Sequence, residues 1–162
     1  MDIPKELFKE VLEETCRIHK IPNLKPLQRF CIRSLINERD VLACLPTAFG
    51  KSLIFQSWPT VCKLLANKFP TKYLSDGIVL VICPLISIME DQVQLLNSKG
   101  ISAALCGKQM DDRIAKGEFS IVFGSPELLV GNDYWRDVLQ TPLFQQRLLG
   151  IAVDEVHTVI EW

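Results

Sequence analysis

Residues 45–52 read L-P-T-A-F-G-K-S, from Leu45 to Ser52. They follow a short apolar run, residues 41–45, and open into a long amphipathic segment that starts near Lys51. Strand, tight loop and helix in that order are the setting a phosphate-binding loop requires. The N–H groups of a first helical turn have no intrahelical partners, and the helix dipole adds positive potential, so an anion is stabilised there. Lys51 can reach the terminal phosphates of a nucleotide, and the Ser52 hydroxyl can hold Mg²⁺. The full pattern is G-x-x-x-x-G-K-[ST]; its second half is met, with Leu45 at the place of the first glycine. The alternative is an ordinary strand-to-helix turn with a solvated lysine.

A second stretch supplies what the first would need from its other side. Residues 148–153 are an apolar run closed by Asp154, Glu155, Val156 and His157. An acidic pair at the end of a buried strand suits Mg-nucleotide chemistry: one carboxylate holds Mg²⁺ through water, the other orients an attacking water. Two acidic residues after a strand are also common in surface loops. Their pairing with G-K-S on one chain makes a nucleotide site the stronger reading.

The 162 residues are enough for one domain with a real core, and 48% hydrophobic with 23% charged residues is ordinary globular composition. A net charge of −1 gives no global basic field, so any nucleic acid must be bound by local loops. The six cysteines include no C-x-x-C pair, and most fall in predicted core segments, so reduced thiols are expected and zinc is not. No secretory leader and no membrane-spanning run is read, and no membrane partner is expected. An intracellular, nuclear location is the expectation, although no run of Lys and Arg marks it.

Along the chain, Asp2 can cap a first helix, with Pro4 in its first turn and Leu7, Phe8, Val11, Leu12 and Cys16 at helical spacing. Pro26 starts a second helix, with Phe30, Cys31, Ser34 and Leu35 on nearby faces. Residues 41–45 are expected as a buried strand. The helix from Lys51 carries Leu53, Ile54, Phe55, Trp58, Val61, Cys62 and Leu65, and Pro59 should kink it. Residues 78–83 are apolar throughout, the mark of a strand covered on both faces. A helix over 85–99 should stop at Gly100. A short strand over 102–105, a polar helix over 111–116 and a strand over 119–123 follow. Helices after Ser125 and over 132–138 and 142–146 lead to a last strand over 149–153. This alternation predicts an α/β fold, a mostly parallel sheet with helices on both faces, plus N-terminal helices. Right-handed crossovers would bring the phosphate loop, Pro84-Leu85, Ser125-Pro126 and Asp154-Glu155 to one edge.

Five stretches in order resemble the first RecA-like lobe of superfamily 2 DNA helicases, and most closely the RecQ family. L-K-P-L-Q, Leu24 through Gln28, is similar to motif zero; L-P-T-A-F-G-K-S resembles motif I. C-P-L-I-S-I-M-E-D-Q-V, Cys83 through Val93, is similar to motif Ia; F-G-S-P-E, Phe123 through Glu127, resembles motif Ib. D-E-V-H resembles motif II, D-E-A-H in most of the family. The resemblance implies a P-loop NTPase lobe over residues 24–162, preceded by a helical segment over 1–23.

The roles that follow are those the resemblance implies. ATP would be held by Lys25, Gln28, Pro46, Thr47, Ala48, Phe49, Gly50, Lys51 and Ser52. The Gln28 amide would recognise adenine, since an amide can pair with both N6 and N7 of that base; otherwise Gln28 is a surface residue. Mg²⁺ would sit on Ser52 and, through water, on Asp154. Lys51, Glu155 and His157 would be catalytic: Glu155 as base or water-positioning residue, His157 as the coupling to DNA, or else a half-buried loop histidine. Leu85, Ile86, Ser87, Ser125, Pro126 and Trp162 would touch one DNA strand, single or at a single/double-strand junction, through contacts that position without reading sequence; plain helix capping is the alternative for Ser125.

Departures accompany the match. Ala48 and Phe49 stand where glycines are usual, and a positive φ at residue 48 would cost Ala roughly 1 kcal/mol. Val156 replaces Ala. The sequence stops at Trp162, so a second lobe with its arginine finger is expected as a missing partner. The expectation is an ATP-binding, DNA-contacting lobe of a 3′–5′ DNA helicase, inactive in unwinding by itself. A non-motor binding module that competes with a full-length helicase, and a different P-loop ATPase, are the alternatives.

Overall fold

Pro4 decides where the first helix begins. Its φ of −54° and ψ of 140° hold it extended, so helix α1 runs Lys5–His19, with the Pro4 carbonyl accepting from Phe8 N at 3.0 Å. No side chain caps it, so the expected Asp2 cap is not formed. The computed structural model describes residues 2–46 and 49–155. It has two compact units, Met1–Ser75 and Asp76–Trp162.

In the first unit, α1 buries Phe8, Val11, Leu12, Thr15, Cys16 and His19, the face its spacing predicts. Helix α2, Pro26–Ile36, has Pro at its first position and buries Gln28, Cys31, Ile32 and Ile36. Phe30 is 69% exposed. It lies two residues from both Gln28 and Ile32, about 200° around the helix, so a face that buries those two turns it outward. Helix α3, Ser52–Ala66, continues through Pro59 and buries Ile54, Phe55, Trp58, Val61, Cys62 and Leu65 as predicted, while Leu53 is only half-buried. Both α1 and α2 pack on α3, and His19 Nε2 meets Thr60 Oγ1 at 2.9 Å.

The expected strand over 41–45 is not formed. The segment has no regular secondary structure, Leu42 is 77% exposed and Cys44 is exposed. An apolar run is compatible with a strand, but only a ladder partner makes it one. Among the described residues this run has none.

The second unit holds a four-stranded parallel sheet in the order β2-β3-β1-β4. Its strands are β1 Ile78–Ile82, β2 Ala103–Leu105, β3 Ile121–Gly124 and β4 Leu148–Val153. Parallel neighbours need crossovers. Helix α4 (Ile86–Ser98) joins β1 to β2, α5 (Asp111–Ala115) joins β2 to β3, and α6 (Pro126–Gly131), α7 (Asp133–Gln140) and α8 (Pro142–Arg147) join β3 to β4. Gly100, at φ +78°, ends α4 as predicted.

Strand alternation divides the apolar residues between two faces. Ile78, Leu80, Ala104 and Val122 form one core with Ile114, Phe119, Leu129, Trp135, Val138 and Phe144 from the crossovers. Val79, Val81, Ile121 and Phe123 alternate with them and are fully buried too, and α4 runs along β2 and β3. The six-residue apolar run is thus the doubly covered strand it was expected to be. Strand β4 differs: among the described residues it pairs with β1 alone, and Ile151 and Val153 are exposed.

Gly124 closes β3 directly before Ser125. A Cβ there would stand 2.8 Å from Leu129 Cγ, and Leu129 is itself in the core. Gly124→Ala is therefore expected to cost about 1–3 kcal/mol, the usual range for overpacking. Urea denaturation measures it; an unchanged midpoint would mean that Leu129 yields freely.

Candidate nucleotide site and nucleic-acid edge

In the first unit, the loop that leads into α3 is shaped by Gly50. Its φ is +83°, a region where side-chain-bearing residues are strained, and an added Cβ would come 2.8 Å from Gln28 Nε2. Phe49 N donates to Pro46 O at 3.0 Å, turning the chain just before Gly50. Lys51, with φ −56° and ψ −35°, is already helical in conformation, and Ser52 starts the helix. Leu53 N reaches Gly50 O at 3.2 Å and Ile54 N reaches Lys51 O at 3.1 Å. Lys51 and Ser52 thus stand on the first turn of a 15-residue helix, where the dipole favours an anion. Thr47 and Ala48 lie outside the described residues.

Gln28 and Lys25 meet this loop from α2. Gln28 is 1% exposed, so it is not a surface residue. Its Oε1 accepts from Lys25 N at 2.7 Å, and its Nε2 donates to Phe49 O at 3.2 Å and to Gly50 O at 2.9 Å. Lys25 Nζ donates to Phe49 O at 3.2 Å and lies 4.4 Å from the centroid of the Phe49 ring. The family resemblance brought Lys25 forward as an ATP-binding residue and Gln28 as the one that recognises adenine. Their grip on Phe49 and Gly50, more than twenty residues away, had no local signal.

In the second unit, three loops leave the C-terminal edge of the sheet. After β1 come Cys83, Pro84 and Leu85, the last extended (φ −107°, ψ 107°) ahead of α4. Leu85 and Ile86 are each 50% exposed and Ser87 is exposed. After β3, Ser125 Oγ accepts from Leu128 N at 3.3 Å and caps α6, so the capping role is fulfilled; Pro126 is buried. After β4, Asp154 N donates to Ile82 O at 2.9 Å and prolongs the ladder. Asp154 Oδ1 accepts from Glu155 N at 3.0 Å, and Glu155 has φ +56°. A left-handed conformation is uncommon for a residue other than Gly, Asn or Asp. Val156, His157 and Trp162 lie outside the described residues.

The electrostatics of this edge show in Cys83. Burial raises its thiol pKa above the ordinary value, and the nearby Asp154 and Glu155 carboxylates raise it further, against a lowering by the Leu85 carbonyl contact. Cys83 is held as a neutral thiol beside an acidic pair. The crossover reading placed Pro84-Leu85 and Asp154-Glu155 on one edge, and Cys83 lies beside them there. Cys62 and Cys106 are pushed up to about 12 by burial, and five of the six cysteines are buried, as expected. Among the described residues no three His, Cys, Asp or Glu side chains group as a metal site, and no helix is long and apolar enough to cross a membrane.

Comparison with known proteins decides the family. The model of the DEAD/DEAH box helicase family matches residues 25–162, from Lys25 onward through Asp154 and Glu155. The chain belongs to the DEAD/DEAH box helicase family. Its four-stranded parallel sheet with flanking helices agrees with a RecA-like helicase lobe. Among similar curated proteins, this helicase chain is 32% identical to the ATP-dependent DNA helicase Q1 of Mus musculus over 96% of its own length and 24% of the relative's. It is 31% identical to the ATP-dependent DNA helicase RecQ of Synechocystis over 95% of its own length and 31% of the relative's. The chain therefore spans about a quarter to a third of the length of these relatives.

Proposed function

We propose that this helicase chain is the adenine-nucleotide-binding and DNA-contacting first lobe of a RecQ-like 3′–5′ DNA helicase. The observation that carries the proposal is Gly50 at φ +83° feeding Lys51 and Ser52 onto the first turn of α3. ATP with Mg²⁺ is the nucleotide. Lys51 takes the terminal phosphates, Ser52 and Asp154 take Mg²⁺, the latter through water, and Glu155 positions the attacking water. His157 couples the nucleotide to DNA. Leu85, Ile86, Ser87, Ser125, Pro126 and Trp162 receive a DNA strand. The exposed Leu85-Ile86-Ser87 turn supports that role, because such contacts need accessible backbone rather than a basic field. The relatives are ATP-dependent DNA helicases, which supports unwinding of DNA as the work of a complete two-lobed motor; a nuclear location is part of the same proposal.

Gln28 tests the nucleotide part. Gln28→Ala removes the adenine contact and also loosens the loop, so every nucleotide should weaken. ATP and ADP should lose roughly 1–3 kcal/mol more than inorganic tripolyphosphate, the worth of a bidentate base contact. Calorimetry with each ligand separates the two effects. Equal losses would leave Gln28 as a loop support with no role in base recognition.

A further inference from the structure

Helix α2 buries one side, through Gln28, Cys31, Ile32 and Ile36. At about 100° per residue, Arg29, Arg33, Phe30, Ser34 and Leu27 follow one another around the opposite side. Phe30 is 69% exposed and Leu27, three residues before it, 50%. Arg29 is exposed beside Phe30 and forms no ion pair among the described residues. Arg33 is held in place: its Nη2 donates to Ile3 O at 3.2 Å, and its guanidinium lies 5.1 Å from the centroid of the Phe8 ring. No Asp or Glu occurs from Leu24 to Asn37, so the cations of this helix face no acid from their own segment.

We propose that this outer side of α2 is a further contact for single-stranded DNA, with Phe30 as the platform on which a base stacks and Arg29 and Arg33 as the phosphate contacts. The inference rests on the DNA-contacting reading and adds residues which that reading leaves out. A single exposed apolar residue needs no explanation. Phe30 differs in its company. A site that holds a single strand without reading sequence combines an aromatic face for the base with cations for the backbone. Arg29 and Arg33 stand next to the ring on one side, and Leu27 extends its apolar surface on the other. A guanidinium has five N–H donors, so Arg33 keeps donors for a phosphate beyond the one it gives to Ile3 O. Net charge supplies no global attraction at −1, so phosphates must be held by a local surface of this kind. A protein partner would need Leu27 and Phe30 alone; the unpaired Arg29 beside them favours a polyanion.

The test is binding of a fluorescent oligothymidylate to the full chain, followed by anisotropy over a range of salt concentrations. Phe30→Ala is expected to weaken binding about tenfold, the order of one stacked base, with the salt dependence unchanged, and Phe30→Trp to retain it. Arg29→Ala is expected to lower the slope of log affinity against log salt by about 0.7, one phosphate contact on a single strand. Both side chains are exposed, and urea midpoints equal to wild type confirm that the variants fold. Irradiation of an oligonucleotide that carries 5-iodouracil should place an adduct on Phe30. Affinity that survives Phe30→Ala, with adducts confined to residues 85–87 or 125–126, would overturn the α2 contact and leave the DNA-contacting reading standing. No binding by the wild type at low salt would overturn both. A Phe30→Ala chain that turns from dimer to monomer in sedimentation, with oligonucleotide affinity unchanged, would give this face to a second copy and overturn the proposal.

Discussion

Phosphate release from Mg-ATP by these 162 residues alone is expected to be at least about 10³-fold slower than by the same lobe joined to a second lobe that carries an arginine finger. Phosphoryl transfer spreads charge over the γ-phosphate oxygens, and that charge needs neutralising on both sides. The proposed roles supply one side: Lys51, Mg²⁺ and Glu155. Five of the seven arginines have other work among the described residues. Arg17 pairs with Glu14, Arg113 with Glu118, Arg136 with Asp133 and Arg147 with Asp76, while Arg33 donates to Ile3 O. A finger in trans is worth about 10³–10⁵ in rate. Unwinding adds a mechanical demand, because two lobes must close and open on the strand as nucleotide turns over. Phosphate release with and without single-stranded DNA, by the chain alone and by the chain fused to a relative's second lobe, measures the difference. Fast turnover by the chain alone, abolished by Glu155→Gln, would mean that the second side is supplied from within, or by another copy.

Much of this was legible in the sequence because it is local. Residues 78–83 read as a strand buried on both faces, since an unbroken apolar run has no polar side to turn to water, and 78–82 form it. Gly100 and Ser125 marked a helix stop and a helix start by their own conformational chemistry. The G-K-S step announced the loop at the start of α3. What the sequence could not show depends on distant partners. Residues 41–45 look like a strand and are not one, because alternation and apolarity do not supply a ladder partner. Phe30 lies exposed because Gln28, a polar residue, takes the buried face of α2 to reach the loop. Burying that amide is tolerable because both its ends are hydrogen-bonded. The same long-range contact makes Phe49 more than a departure from a motif.

Lys51→Ala is expected to weaken Mg-ATP by about 10²-fold or more while the fold persists. Lys51 is half-buried at the start of α3 and outside both cores, so truncating it opens no cavity. A hydrogen bond to a charged group is worth roughly 1.5–3 kcal/mol, and an ammonium that reaches two phosphates makes more than one. The Gly50 turn and the helix start do not depend on the side chain, so the loop keeps its shape and the loss reports the charge itself. Titration calorimetry of Mg-ATP into the wild-type and Lys51→Ala chains, with urea midpoints to confirm equal stability, is the most direct test of the central claim that this loop binds nucleotide phosphate. The expected result is saturable binding by the wild type that disappears from a mutant of unchanged midpoint. Equal affinity in the two proteins would contradict it.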